Sequence, residues 1–143
     1  MTELLRLEDL ERATADFFSR HWHQGCLGPP PTRSNWDHFL KGSVPNHEHA
    51  GCYATFIGSG LDYVGLGASR GGGLYKDHGI SRRLLQHVIR ADRTKGSGYS
   101  ALRPAWEATS AIWTIGLQQA PYLAPALESF LIRTLMPPRN KRV

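Results

Sequence analysis

Cysteine is scarce in this chain. There are two in 143 residues, Cys26 and Cys52, too few for a disulfide framework, and a reducing intracellular setting is the expectation. Long apolar runs are lacking too. None approaches the ~20 residues that a membrane-spanning helix needs, so no membrane partner is expected. The first stretch does not read as a signal peptide, because Met1 to Asp16 carries five acidic residues against two arginines, whereas a signal peptide opens on positive charge. A cytoplasmic location is therefore expected. Acidic residues are in the minority overall, 12 against 17 lysines and arginines, for a net charge of +5. The length suits one domain with a sizeable core.

The positive charge is local. Between Arg70 and Lys95 stand seven basic residues and two acidic ones. That excess equals the balance of the whole chain, and it suits a polyanion bound through phosphate contacts and counterion release.

Thr2 to Trp22 reads as an amphipathic helix with Leu7, Leu10, Phe17 and Phe18 near one stripe. Gly25 to Ala50 holds four of the nine prolines and reads as a long irregular loop, with a short helical turn near Trp36 to Leu40. Cys52–Ile57 and Leu61–Gly67 flank Gly58-Ser59-Gly60, a hairpin signal. A three-residue turn would pair Ile57 with Leu61, Thr55 with Tyr63 and Tyr53 with Gly65. Tyr53 and Tyr63 then share a face as diagonal neighbours, with open space over Gly65 beside them. Ala68 to Gly79 is a basic, glycine-rich loop. A helix is expected from Ser81 to about Asp92, with Arg83 and His87 together along one edge of its apolar stripe and Arg82 on the other. Thr109 to Leu117 alternates as a third strand. Pro121 to Met136 reads as the last helix, ended by Pro137-Pro138.

Glu128 stands out within that last helix. It falls inside an apolar arc with Leu131, Ile132 and Leu135, and a buried carboxylate without a partner is costly. It must meet a metal, several donors or a cation such as Arg83 or Arg103. Two further tracts, His21-Trp22-His23-Gln24-Gly25-Cys26 and His47-Glu48-His49-Ala50-Gly51-Cys52, share a His-x-His-x-Gly-Cys pattern, but their spacing matches no zinc motif.

Taken in order, Gly51-Cys52-Tyr53, Tyr63-Val64-Gly65, Arg83-Leu84-Leu85-Gln86-His87, Glu128 and Asn140 resemble the GIY-YIG nuclease superfamily. The resemblance covers Gly51 to Asn140. It implies an α+β fold, with a small three-stranded mixed or antiparallel sheet flanked by helices, carrying an N-terminal helical extension. Residues 1–50 would be helix and irregular loop packed on the core, and 51–143 the nuclease-like domain. The implied activity is a metal-dependent DNA endonuclease using Mg²⁺ or Mn²⁺, with Glu128 as metal ligand. Tyr53 and Tyr63 would handle the attacking water, with Tyr53 preferred as base and the choice left open. Arg83 and His87 would meet the scissile phosphate, and Asn140 would brace the site. Arg70, Lys76, Arg82, Arg90 and Lys95 would hold the DNA.

The chain departs from the pattern in two places. Cys52 and Val64 stand where the name-giving motif has isoleucines, and Gly65 to Arg83 is longer than in compact members. The spacings of four from Arg83 to His87 and twelve from Glu128 to Asn140 resemble those of restriction-type members. A stand-alone repair or phage-type nuclease and a compact restriction-type enzyme are both compatible with these residues. Single- or double-stranded DNA, RNA, and a monomer or homodimer also stay open. The alternative from another class is a catalytically inactive nucleic-acid-binding module on the same fold.

Overall fold

The structure is a computed structural model and describes residues 4–67 and 79–141. Helix α1 (Leu7–His21) begins later than the expected Thr2, since Leu4 to Arg6 are non-helical. The Asp9 carboxylate accepts the Arg6 backbone N–H at 2.8 Å and closes the first turn, where an acidic group is also favoured by the helix dipole. The stretch expected to be irregular holds a one-turn helix, α2 (Gln24–Leu27), and a two-residue strand, β1 (Ser34–Asn35). A turn occupies Asp37 to Leu40. Next come β2 (Gly51–Ile57), β3 (Gly60–Gly67) and α3 (Ile80–His87). They are followed by β4 (Ile89–Ala91), β5 (Ser100–Leu102), β6 (Ala111–Gly116) and α4 (Ala124–Leu135). Short 3₁₀ turns sit at Pro104–Trp106, Pro121–Leu123 and Pro138–Lys141.

The fold is α+β, and its main sheet has four strands among the described residues, in the order β1-β6-β2-β3 and antiparallel throughout. Three strands were expected. The fourth, β1, is too short to leave a period-two signal, and it forms because the outer edge of β6 offers unpaired backbone groups to Ser34 and Asn35.

A second correction concerns α3, which stops at His87 rather than near Asp92. Arg103 takes the end of the helix. Its backbone N–H donates to Val88 O at 2.8 Å, its Nε to Ile89 O at 3.1 Å and its Nη2 to Leu85 O. These bonds satisfy carbonyls that a continuing helix would have used. The chain then extends, and Ile89–Ala91 pairs with Ser100–Leu102 in a separate two-stranded ribbon. Leu85, expected on the apolar side, is exposed.

Strand β2 is paired on both edges and buried along six of its seven residues. It therefore divides the interior by side-chain alternation. Cys52, Ala54 and Phe56 join Leu10, Phe17 and Phe18 of α1 and Leu127 and Leu131 of α4 in one core. Tyr53 joins Trp36, Ile80, Leu84, Val88 and Ile112 in the other. Residues from the first fifty thus line both cores, and α1 packs directly on α4. No helix among the described residues is long and apolar enough to cross a membrane.

Helix α3 sits close on β3 because Gly67 lacks a side chain. A Cβ there would fall 2.5 Å from Ile80 Cα. Gly67→Ala is expected to push α3 off the sheet and cost about 1–3 kcal/mol, read from the midpoint of urea unfolding. An unchanged midpoint would mean that α3 is not held by this contact.

Candidate active site

The β2–β3 pair brings the two tyrosines together. Thr55 stands opposite Tyr63 and Tyr53 opposite Gly65. The turn itself is tighter than expected. Ile57 pairs with Gly60 rather than Leu61, and Phe56 pairs with Leu61. The register recovers at Thr55 because Asp62 is an extra residue in β3, a β-bulge. Gly58, at φ 60°, suits the first central position of a two-residue hairpin turn.

The open space expected over Gly65 is filled by Tyr53 itself. A Cβ on Gly65 would lie 2.3 Å from Tyr53 Cζ and 2.5 Å from its hydroxyl oxygen. The ring of Tyr53 therefore crosses β3 at a position that only glycine leaves clear, and its centroid lies 6.0 Å from that of Tyr63. Tyr53 is 1% exposed, while Tyr63 is half-buried. The two phenols act on each other's acidity, Tyr63 raising Tyr53 and Tyr53 lowering Tyr63. Tyr63 is thus the phenol that solvent or a ligand can reach.

Two charges of opposite sign act on both phenols. Burial is the main reason that Tyr53 is held far above the ordinary phenol range. The neighbouring Tyr63 and Glu128 add to this, and Arg83 opposes it. Tyr63 is also raised, first by burial and then by Glu128. Arg83, Tyr53 and Arg139 pull it down. Glu128 comes from α4 and is half-buried. Its charge also helps burial push the Cys52 thiol up to about 12, so it is felt on both faces of the sheet. Arg83 comes from the first turn of α3 and is half-buried. His87 closes that helix on its exposed side. Partial desolvation lowers its pKa, and the charges of Arg83 and Arg103 lower it further, so its ring is neutral at neutral pH.

The last turn of the chain grips Tyr63 from both sides. The Asn140 side chain accepts the Val64 N–H at 2.8 Å and donates to Val64 O at 3.0 Å, the pattern that a neighbouring strand would make. Arg139 bonds Asp62 Oδ2 at 2.7 Å and Ala105 O at 3.0 Å. Its guanidinium lies 4.2 Å from the Trp106 ring centroid, and Trp106 meets Tyr63 edge to face at 5.1 Å. Consecutive residues 139 and 140 therefore hold the residues before and after Tyr63.

Of the residues singled out from the sequence, Tyr53, Tyr63, Arg83 and Glu128 converge electrostatically. His87 lies in reach of Arg83's charge, and Asn140 is bonded to β3. Arg82, Arg90 and Lys95 are exposed. Arg70 and Lys76, with the rest of the glycine-rich loop through His78, lie outside the described residues. Sequence reasoning missed Asp62, Trp106 and the local role of Arg139. The signals are faint: an aromatic closing a proline-led turn, and a basic residue beside Asn140. Cavities of a few hundred Å³ do exist elsewhere. One of about 370 Å³ lies between α1 and Pro30–Arg33, lined by Trp22 and Ile115, and none of its lining residues belongs to the tyrosine cluster.

Asn140→Ala removes both bonds to Val64. The expected cost is about 1–3 kcal/mol, with faster amide hydrogen exchange at Val64 than in the wild type. Asn140→Asp should fare little better, since it keeps an acceptor for the N–H but sets an oxygen against Val64 O. Unchanged exchange in both variants would show that the turn does not hold the strand.

Compared with protein-family models, with curated proteins and with solved structures, the chain matches none.

Proposed function

We propose that this protein is a metal-dependent endonuclease that hydrolyses phosphodiester bonds in DNA, with Tyr63 at the reacting centre. The observation that carries this reading is that Arg83 and Glu128 both act electrostatically on the neighbouring phenols of Tyr53 and Tyr63. The order of motifs from Gly51 to Asn140 supports it, as does the run of basic residues on α3 and the ribbon after it.

Glu128 offers hard oxygen atoms, and its charge acts on both phenols. A lone carboxylate suits Mg²⁺ or Mn²⁺, which commonly take one or two carboxylates and complete their shells with water and phosphate. Glu128 would hold such an ion, which when bound supplies positive charge against the leaving oxygen. Glu128 balanced in this way would no longer raise Tyr63. The influence of Tyr53 and the charges of Arg83 and Arg139 would then favour the Tyr63 phenolate.

The chain's own part in the chemistry follows from accessibility. A water hydrogen-bonded to the Tyr63 oxygen gives up its proton to it as the water oxygen forms a bond to phosphorus. The bond to the leaving ester oxygen breaks in line, and that oxygen takes a proton from solvent. Arg83, a planar fork of donors, meets the non-bridging phosphate oxygens and stabilises the charge that develops there. Neutral His87 can donate one hydrogen bond to the same group. Tyr53, buried beside Tyr63, packs against the reacting phenol rather than touching water.

Incubation with labelled DNA and Mg²⁺, Mn²⁺ or EDTA tests the proposal. Cleavage should require the metal. Tyr63→Phe and Glu128→Gln should each lose about 10²- to 10⁴-fold in kcat/KM, the usual worth of a positioned acid–base group, and Tyr53→Phe should lose less. Because Tyr63 must be deprotonated and its pKa is raised, kcat/KM should climb with pH, about tenfold per unit below that pKa. EDTA-resistant cleavage, or a Tyr63→Phe variant as active as the wild type, would sink the assignment.

A further inference from the structure

The β4–β5 ribbon, Ile89 to Leu102, springs from the rim of the candidate site at both of its ends. It begins two residues after His87, and it is followed within four residues by Trp106, which touches Tyr63. Any polymer lying across Arg83 and Tyr63 must therefore run beside it. From Ile80 to Arg103 there are six basic residues against the single acid Asp92.

The ribbon is firmly rooted. Ile89 is buried in the core beneath α3, and Arg103 ties the ribbon's base to the helix end. A third segment flanks its far strand, where Ser100 N donates to Leu40 O at 2.8 Å and Gly42 N to Gly98 O at 2.7 Å. The Lys41 ammonium lies 5.6 Å from the Tyr99 ring centroid. At the tip, Asp92 Oδ1 accepts the backbone N–H of Thr94 at 3.1 Å and also its hydroxyl, and Asp92 N donates to Tyr99 O at 2.9 Å. The one acid is thus absorbed in shaping the turn. Arg93 to Gly98 are all exposed, and the side chains of Arg93, Lys95 and Ser97 carry donors. A rigid, solvated loop of donors with no apolar residue to bury has no packing role.

We propose that this ribbon enters the major groove of duplex DNA and gives the protein its preference for double-stranded over single-stranded substrate. The inference rests on the nuclease reading for its orientation relative to the site. The part that enters is the exposed turn of residues 93–97, ahead of residues 40–42, which flank Gly98 to Ser100. It is two strands wide, about 4.8 Å between backbones, so with its side chains it fits the major groove, about 12 Å wide, and is too broad for the minor groove, about 6 Å wide. Arg93 and Lys95 meet phosphates or guanine edges, and Ser97 meets either groove atoms or backbone oxygens.

Fluorescence anisotropy in EDTA, with a short random-sequence duplex and its single strand over a range of salt, separates binding from cleavage. The variants are Arg93→Ala/Lys95→Ala and, as control, Arg12→Ala/Arg20→Ala on α1, with circular dichroism to verify folding. The ribbon variant should lose about tenfold or more in duplex affinity, and its log–log salt slope should fall by about two, one for each phosphate contact removed. Its single-strand affinity should change less, and the control should match the wild type. Wild type that fails to prefer duplex, a ribbon variant with unchanged slope, or equal losses on both DNA forms would overturn the proposal. Parallel Mg²⁺ assays keep the two readings apart. Ribbon-dependent duplex binding without cleavage of any DNA by wild type supports the ribbon and removes the nuclease, while cleavage with ribbon-independent binding removes the ribbon alone.

Discussion

Tyr53 crosses the backbone of β3 at Gly65, and much of the site depends on that crossing. A phenol in the middle of a doubly paired strand would ordinarily be a core residue. Here the missing side chain opposite lets its hydroxyl come within 2.5 Å of where a Cβ would stand and emerge beside Tyr63. The buried ring lies against its more open neighbour, and the two phenols shift each other's acidity. Burial makes Tyr53 a poor acid, so it stays protonated. The partly open Tyr63 is left to meet whatever binds.

A phenol on a sheet edge would be loosely held without help. Strand β3 is an edge strand, and a free edge is also a template for unwanted pairing. The C-terminal turn answers both problems with two adjacent side chains. Asn140 pairs with Val64 as a strand would, and Arg139 takes the Asp62 carboxylate exposed by the bulge. Arg139 also stacks on Trp106, which backs the Tyr63 ring. Segments far apart in sequence, Asp62–Val64, Ala105–Trp106 and Arg139–Asn140, therefore become one support. The positive charge of Arg139 adds to that of Arg83 in drawing the phenol down.

What could be read from the sequence was what depends on short-range pattern. Alternation and the Gly-Ser-Gly turn placed the hairpin and its register from Thr55 inward, and helical period placed Glu128 beside the apolar face of α4. Three things were not legible there. The β-bulge at Asp62 leaves no mark, because one extra residue in a strand looks like any other. Strand β1 is two residues long and borrowed from a proline-rich segment, formed by an edge that only the tertiary fold supplies. The end of α3 is decided by Arg103, sixteen residues beyond His87, whose guanidinium satisfies the helix carbonyls. Period alone carried that helix too far. The support around Tyr63 escaped for the same reason, since each contact joins residues separated by dozens of positions. The two names Arg70 and Lys76 fall outside the described residues, and their part in any DNA contact rests on charge.

The proposed mechanism stands on Glu128 and Tyr63 belonging to one divalent-ion site that works on DNA. Paramagnetic broadening by Mn²⁺ of the amide signals, recorded with an uncleavable duplex bound, tests it most directly, since the effect is confined to residues near the ion. Selective broadening is expected around residues 62–65 and 127–129, lost in Glu128→Gln while the duplex stays bound. Broadening centred elsewhere, for instance on His47 to His49, or persisting unchanged in that variant, would contradict it.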